Sequence, residues 1–262
     1  MESNNLRFVL TNMCPMGYSA TAKFCRVRLE KEKKTAIFTP NAEMISHAMR
    51  HGRALRLLLS ADLLFPDGIG AHAAMKAYGF SHYKRTAGIE LAEEILRNSA
   101  KRGYRVFLLG AKKDIVELAA KKLRLKYKGL NVCGYHHGYF NKRNHENLAV
   151  KEKINKSRAD IIFVCFGFPL QEAWIRQNLT DLESVKLAIG LGGSLDVWSG
   201  KVSRSPKAIS KMGLEWLWRT ANDPKRLKRI PSLLFFSFFA IKEVLFDRQK
   251  QYKCYEIDNF SK

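Results

Sequence analysis

The sequence predicts an α/β protein built on a mostly parallel sheet of about six strands, with helices on both faces. Short apolar runs alternate with longer segments of helical periodicity over most of the 262 residues. Strands that alternate with helices form crossover units, which make neighbouring strands parallel. Several runs are apolar throughout, as is typical of strands covered on both faces. A chain of this length can bury one such core and carry a small appendage.

The predicted elements follow one another along the chain. Apolar runs predict strands at residues 35–39, 63–65, 105–109, 132–135, 160–166 and 185–189. Helical periodicity is clearest over residues 88–101, 112–126 and 170–178. Together they predict a Rossmann-like core over residues 1–205. From Pro206 onward Trp, Phe and basic residues dominate, so we expect residues 206–262 to form a helical C-terminal appendage that associates with a membrane.

The composition restricts the partners and the compartment. The formal net charge of +22 implies an anionic partner, either nucleic acid, anionic lipid or a phosphorylated substrate. Five scattered cysteines without a CxxC pair favour a reducing cytosol over a disulfide framework or a structural zinc site. The longest apolar stretch, residues 233–246, is interrupted by Lys242 and Glu243 and falls short of the about 20 residues of a spanning helix. With no secretory signal pattern at the N-terminus, we expect a cytoplasmic protein, peripheral on the inner face of the cell membrane.

The candidate functional residues follow the apolar runs, because ligands of open parallel sheets bind beyond the carboxyl ends of the strands. Glycines, small polar side chains and isolated carboxylates stand there, without a Ser–His pair or a cluster of metal ligands. We therefore expect no metal and no other cofactor. The segments concerned are residues 39–41, 66–68, Gly110, 167–172 and 190–196.

Each of these segments also has a purely structural interpretation. Asp67 at a strand end can act as a general base, or it can cap the following helix. The glycine turn at residues 190–193 lets backbone N–H groups approach a phosphate, or it is a plain strand–turn–helix connection. Gln171 opens a helix and can point back over the sheet edge, whereas Glu172 can merely favour the positive helix N-terminus.

In this order and spacing the motifs resemble the WecG/TagA/CpsF glycosyltransferases over nearly the whole chain. The matching positions are residues 39–41 with 43–44, 66–70, Arg85 with 87–88, 107–110, 167–172 with 174–175, 192–196 with 200–201, 213–219 and 224–229. There are departures from the family pattern: Lys84 before the arginine, Ser205-Pro206, and a bulky turn at residues 165–168. Because of these departures, the resemblance does not define the wall of the sugar pocket, and it therefore does not decide which donor sugar is used.

The resemblance implies a metal-independent, inverting enzyme that moves N-acetylmannosamine or a related sugar from UDP to polyprenyl-diphosphate-linked N-acetylglucosamine. It implies that Asp67 is the base that deprotonates the 4-hydroxyl of the acceptor. The residues it assigns to the sugar pocket are Thr39, Arg85 and Gln171, those it assigns to the diphosphate are Arg219, Arg226 and Arg229, and the other expected substrate-binding residues are Asn41, Gly110, Gly167, Gly192 and Asp196. The appendage would close over the site at the membrane surface, in the synthesis of a cell-surface polysaccharide or wall teichoic acid.

Other functions remain open. Transfer of N-acetylmannosaminuronic acid or glucose from UDP is the alternative within the family. A nucleic-acid-binding protein should interleave its positive charge with stacking aromatics in a groove, whereas here the charge is spread over helices and set against an apolar tail, which fits anionic lipid better. A dinucleotide-binding fingerprint at residues 68–73 follows a very short apolar run and is weak. The sequence does not decide whether the protein is a homo-oligomer, which polymer is built, or the length of the lipid.

Overall fold

The chain forms one parallel six-stranded sheet. The computed structural model describes residues 2–14, 16–79, 87–203 and 230–246, with a few positions between 206 and 228. In these ranges the strands are β1 (Thr35–Phe38), β2 (Leu63–Leu64), β3 (Arg105–Gly110), β4 (Asn131–His136), β5 (Ile161–Cys165) and β6 (Leu187–Gly190). Their order is β2-β1-β6-β5-β3-β4, and every neighbouring pair is parallel. The α/β class and all six predicted strands are confirmed.

Helices connect the strands and cover both faces of the sheet. The three helices predicted from periodicity are confirmed to within one residue at either end. In chain order the described helices are α1 (Glu2–Thr11), α2 (Tyr18–Glu30), α3 (Ala42–Arg50), α4 (Gly52–Leu59), α5 (Gly68–Ala77), α6 (Gly88–Arg102), α7 (Lys113–Lys126), α8 (His145–Ser157), α9 (Leu170–Asn178), α10 (Ser194–Trp198) and α11 (Ile230–Phe246).

Two apolar cores lie on opposite faces of the sheet, because successive side chains of a strand point to opposite sides. Phe107 and Leu109 of β3 enter the core formed with α1, α3, α4, α5, α8, α9 and α11. Val106 and Leu108 of the same strand enter the core formed with α2, α6, α7 and α10. Burial on both faces explains why the strands read as continuous apolar runs.

The C-terminal helix α11 packs onto the first of these faces. It contacts α3, α1 and α5, and Phe236 is only 3% exposed within the core. A Cβ built on Gly70 of α5 would lie 2.8 Å from Ala42 Cβ and 3.6 Å from the Phe236 ring, so a glycine there permits the close approach. Arg50 of α3 donates a 3.1 Å hydrogen bond to Ser232 Oγ. The apolar stretch at residues 233–246 thus lies in a helix, and one side of that helix is held by the core.

The opposite side of α11 exposes large apolar side chains. Leu234, Phe238 and Ile241, here called the outward face of α11, are 66%, 62% and 59% exposed, and Ser237 and Lys242 are exposed beside them. None of the helices in the described ranges reaches the length and apolar content that crossing a bilayer requires. Association of this segment with a membrane surface stays a prediction.

Candidate active site

Several predicted site residues that the structure describes lie along one edge of the sheet. All six strands are parallel, so their carboxyl ends meet there. Thr39 follows β1, Asp67 follows β2, Gly167 follows β5 and Gly192 follows β6. The central position of β1, β6 and β5 brings three of these strand ends side by side. This edge is where an open α/β sheet binds its ligand.

Asp67 is held by groups from two other connections. Its N–H donates to the Pro40 carbonyl at 3.0 Å, and its Oδ1 accepts a 2.8 Å hydrogen bond from the N–H of Gly88, the first residue of α6. Asp67 directly precedes α5, yet its side chain forms no capping hydrogen bond to that helix. The capping alternative therefore does not apply to the following helix, and the carboxylate is instead anchored to a helix that starts 21 residues later.

Thr39 lies between Gly88, which binds the Asp67 carboxylate, and the end of β6. Its hydroxyl donates to the carbonyl of Gly190 at 2.8 Å, which joins the ends of β1 and β6. A Cβ built on Gly88 would lie 3.0 Å from Thr39 Cγ2, so Gly88 packs closely against the threonine side chain. Asp67, Gly88, Thr39 and Gly190 are thus consecutive neighbours.

Gln171 joins the turns after β5 and β6. Its side chain is 2% exposed, and its Oε1 accepts from the N–H of Gly192 at 2.9 Å and from the N–H of Gly167 at 3.2 Å. A Cβ built on Gly190 would lie 2.9 Å from Gln171 Nε2, so the carboxamide occupies space that a side chain at position 190 would need. The expectation that Gln171 points back over the sheet edge is confirmed. The N–H groups of Gly167 and Gly192 are therefore engaged as hydrogen-bond donors to this carboxamide.

The glycines at the strand ends adopt backbone conformations that other residues rarely take. Gly110, Gly167 and Gly192 have φ angles of 143°, 84° and 52°. At Gly110 a Cβ would also lie 2.4 Å from the Cys165 carbonyl oxygen, so β3 and β5 could not approach so closely with any other residue. These glycines are required by the shape of the edge, and any contact with substrate is additional to that role.

Two further predicted residues lie beside this chain of contacts. Asn41 caps α3, its Oδ1 accepting a 3.0 Å hydrogen bond from the N–H of Met44. Asp196 of α10 lies near the Cys165 thiol, whose pKa is raised to about 12, chiefly by burial and further by the Asp196 charge. The remaining predicted residues, Arg85, Arg219, Arg226 and Arg229, lie outside the described residues.

Glu172 is the residue whose environment the sequence interpretation missed. Its side chain is fully buried, and its Oε1 accepts a 2.8 Å hydrogen bond from Gln171 Nε2. Burial raises the pKa of this carboxyl to about 7. The carboxylate is therefore part of the interior, and not simply a charge placed at a helix N-terminus. Its position three residues before the buried Ile175, on the same side of α9, is a signal from which this burial could have been inferred.

Comparison with known proteins agrees with the resemblance seen in the sequence. The sequence model of the family described as "Glycosyl transferase WecG/TagA/CpsF family" matches residues 8–250. Three relatives are named N-acetylglucosaminyldiphosphoundecaprenol N-acetyl-beta-D-mannosaminyltransferase. The protein from Bacillus spizizenii W23 is 34% identical over 78% of both chains, that from Bacillus subtilis 168 is 32% identical over 82% of both, and that from Staphylococcus aureus MW2 is 35% identical over 79% of both.

Proposed function

Because the chain belongs to the WecG/TagA/CpsF family of glycosyltransferases, we propose that it transfers N-acetylmannosamine from UDP to N-acetylglucosaminyl-diphospho-undecaprenol. The acceptor and the transferred sugar are those in the names of three relatives, each of which matches about four fifths of the chain. The UDP donor, and a role in building a cell-surface polysaccharide such as wall teichoic acid, follow from the family resemblance.

Asp67 is the catalytic base of this proposal. An inverting transfer needs a carboxylate that accepts the proton of the attacking hydroxyl while the sugar–phosphate bond breaks on the opposite side of the ring. The acceptor's 4-hydroxyl oxygen forms the new bond to the anomeric carbon, its proton goes to Asp67, and UDP leaves with the electron pair of the broken bond. The strand-end position of Asp67 and its anchoring at Gly88 support this role.

The leaving diphosphate is stabilised by cationic side chains and not by a metal ion. Arg219, Arg226 and Arg229 take this role by the family resemblance, and Thr39, Arg85 and Gln171 shape the sugar pocket. Positive groups placed where negative charge develops lower the barrier of such a transfer. The net charge of +22 supports a reaction between anionic substrates at an anionic surface.

The protein works as a peripheral protein on the inner face of the membrane that carries its acceptor. The outward face of α11 offers apolar side chains to the lipid, and Lys228 precedes the helix as an exposed cation. Each such cation contributes about 1 kcal/mol of attraction to an anionic leaflet. The inward face of α11 stays on the core, so in this arrangement the helix lies parallel to the membrane surface.

A donor screen tests the proposal. The acceptor is synthetic N-acetylglucosaminyl-diphospho-polyprenol in detergent, the donors are the UDP forms of N-acetylmannosamine, N-acetylmannosaminuronic acid and glucose, and the readout is released UDP with the product mass. We expect turnover with UDP-N-acetylmannosamine. Turnover with one of the other two donors alone would establish the alternative within the family, and release with none would contradict the proposal.

A further inference from the structure

The buried carboxyl of Glu172 is directed at the Gln171 carboxamide and at no other described side chain. Its Oε1 accepts a hydrogen bond from Gln171 Nε2, and its Oε2 is buried without a hydrogen-bond partner among the described residues. A buried acidic group is costly unless it is satisfied or serves a purpose. Here its hydrogen bond to another side chain goes to the residue that joins two turns of the candidate site.

That hydrogen bond determines which way the Gln171 carboxamide faces. A carboxamide has a donor end and an acceptor end of nearly equal size. Glu172 Oε1 accepts a hydrogen bond and so selects the NH₂ end, which leaves Oε1 of Gln171 to receive the N–H groups of Gly167 and Gly192. With the carboxamide reversed, an NH₂ group would face two N–H donors, and both turns would lose their acceptor.

We propose that Glu172 is a positioning residue of the transfer reaction, which orients the Gln171 carboxamide and thereby fixes the turns after β5 and β6. The turn after β6 begins at Gly190, whose carbonyl holds Thr39. Thr39 in turn contacts Gly88, which donates to Asp67. A change of the carboxamide is therefore transmitted through direct contacts to the base.

The effect on catalysis rests on the proposed function, whereas the effect on the two turns does not. Two readouts separate them. The first is kcat/KM for the transfer, and the second is hydrogen exchange of the Gly167 and Gly192 amides. Selective ¹⁵N labelling of glycine restricts the NMR spectrum to the 17 glycines of the chain.

The variants differ in what they offer the carboxamide. Glu172→Leu fills the space without an acceptor, and Glu172→Ala carries the same expectation should the leucine variant not fold. Glu172→Gln keeps an acceptor oxygen of the same reach. Glu93→Ala is the matched control, since Glu93 is a buried acid of α6 that pairs with Lys126 on the other side of the sheet.

We expect Glu172→Leu to lower kcat/KM by about tenfold to a hundredfold, the cost of a misplaced active-site group, and to speed exchange of both glycine amides. In Glu172→Gln we expect both readouts to stay at their wild-type values, which would not be the case if the role of Glu172 were that of a buried charge. The control variant Glu93→Ala changes neither readout. The double variant with Gln171→Ala loses no more than Gln171→Ala alone, because Glu172 acts through that residue.

Three results would overturn the inference: unchanged amide exchange in Glu172→Leu, a Glu172→Gln variant as impaired as Glu172→Leu, or losses that multiply in the double variant. If the wild-type protein transfers none of the sugars while the exchange pattern holds, the proposed function fails and the positioning of the two turns by Glu172 stands.

Discussion

Replacing Glu172 with glutamine should make the protein more stable at neutral and alkaline pH and leave its stability at low pH nearly unchanged. The carboxyl is enclosed by α9 and the sheet, and burial raises its pKa from 4.5 to about 7. At low pH the group is a neutral acid, which glutamine imitates in shape. At high pH the wild-type protein must hold a buried charge that the variant lacks.

The size of the effect follows from the two pKa values. In the unfolded chain the group releases its proton near pH 4.5, and in the folded protein near pH 7. Between these values the folded state binds the proton more tightly, so the free energy of unfolding of the wild type falls as the pH rises. At about 1.4 kcal/mol for each pH unit, the difference of 2.5 between the two pKa values corresponds to at most about 3.5 kcal/mol. The loss is complete above pH 7, where the glutamine variant keeps this stability.

Groups that surround Glu172 do not obscure this comparison. The helix α9 packs on β1, β5 and β6, whose only ionisable side chain is the buried Cys165. It also packs on α4, where Arg53 and Arg56 are exposed. Its own Arg176 faces Asp62 at 3.9 Å. These groups are common to both proteins, so their titration cancels in the difference.

The assay is thermal unfolding of wild type and variant at about pH 5 and about pH 8. For a domain of this size, about 3.5 kcal/mol corresponds to a gain in Tm of at most about 7–14 °C at the higher pH. Glu32→Gln serves as a control of opposite sign, because its pairing with Lys186 lowers the pKa of Glu32 and its removal costs stability as the pH rises above 5. A Tm difference for Glu172→Gln that is equal at the two pH values would refute the reasoning.

Four further results are expected. Asp67→Asn should keep the fold and UDP binding but lower turnover by about two to four orders of magnitude in the UDP-release assay, the usual contribution of a general base; near wild-type turnover would leave Asp67 a structural role only. EDTA should not change the rate of the same assay, and a loss reversed by added Mg²⁺ or Mn²⁺ would contradict the metal-independent proposal. Gly190→Ala should displace the Gln171 carboxamide and lower the free energy of unfolding by about 1–3 kcal/mol, unlike Gly17→Ala, where a Cβ would meet nothing within 4 Å. Serine at all three positions of the outward face of α11 should abolish sedimentation with anionic vesicles while the circular dichroism spectrum is retained, and undiminished sedimentation would place the membrane contact elsewhere.

The sheet could be predicted because its strands are buried on both faces. A run such as residues 161–165 has no polar side chain to mislead the assignment, and its length limits it to a strand. Parallel order then places Thr39, Asp67, Gly167 and Gly192 on one edge without further information. This much of the site was predictable from topology alone.

The partners of these residues were not predictable in the same way. Asp67 bonds to Gly88 across 21 residues, and Gln171 bonds to Gly192 across the same separation. Such pairings depend on how two connections meet in three dimensions, and no local pattern encodes them. The capping preference of Asp and the charge preference of Glu near a helix N-terminus are local rules. Both gave plausible interpretations, which the tertiary contacts of Asp67 and Glu172 replace.

The arrangement of the C-terminal helix could be predicted only in part. Its apolar length indicated a helix that does not span a bilayer. Because residues 233–241 carry apolar side chains on both sides of the helix, no local pattern indicates which side meets the core. Phe236 is the residue that meets the core because it fits the space beside Gly70 and Ala42. That space exists only once the helices α3 and α5 have packed together.

The strand order has a consequence for how the protein can be made. The two strands synthesised last, β5 and β6, occupy the middle of the sheet and alone connect the β1–β2 pair to the β3–β4 pair. Until β6 has emerged, the nascent chain therefore carries two separate groups of strands, β1 with β2 and β5 with β3 and β4, each with an open edge. Such edges promote aggregation, so synthesis interrupted before β6 leaves strands with open edges, whereas a chain that extends past Gly190 contains all six strands.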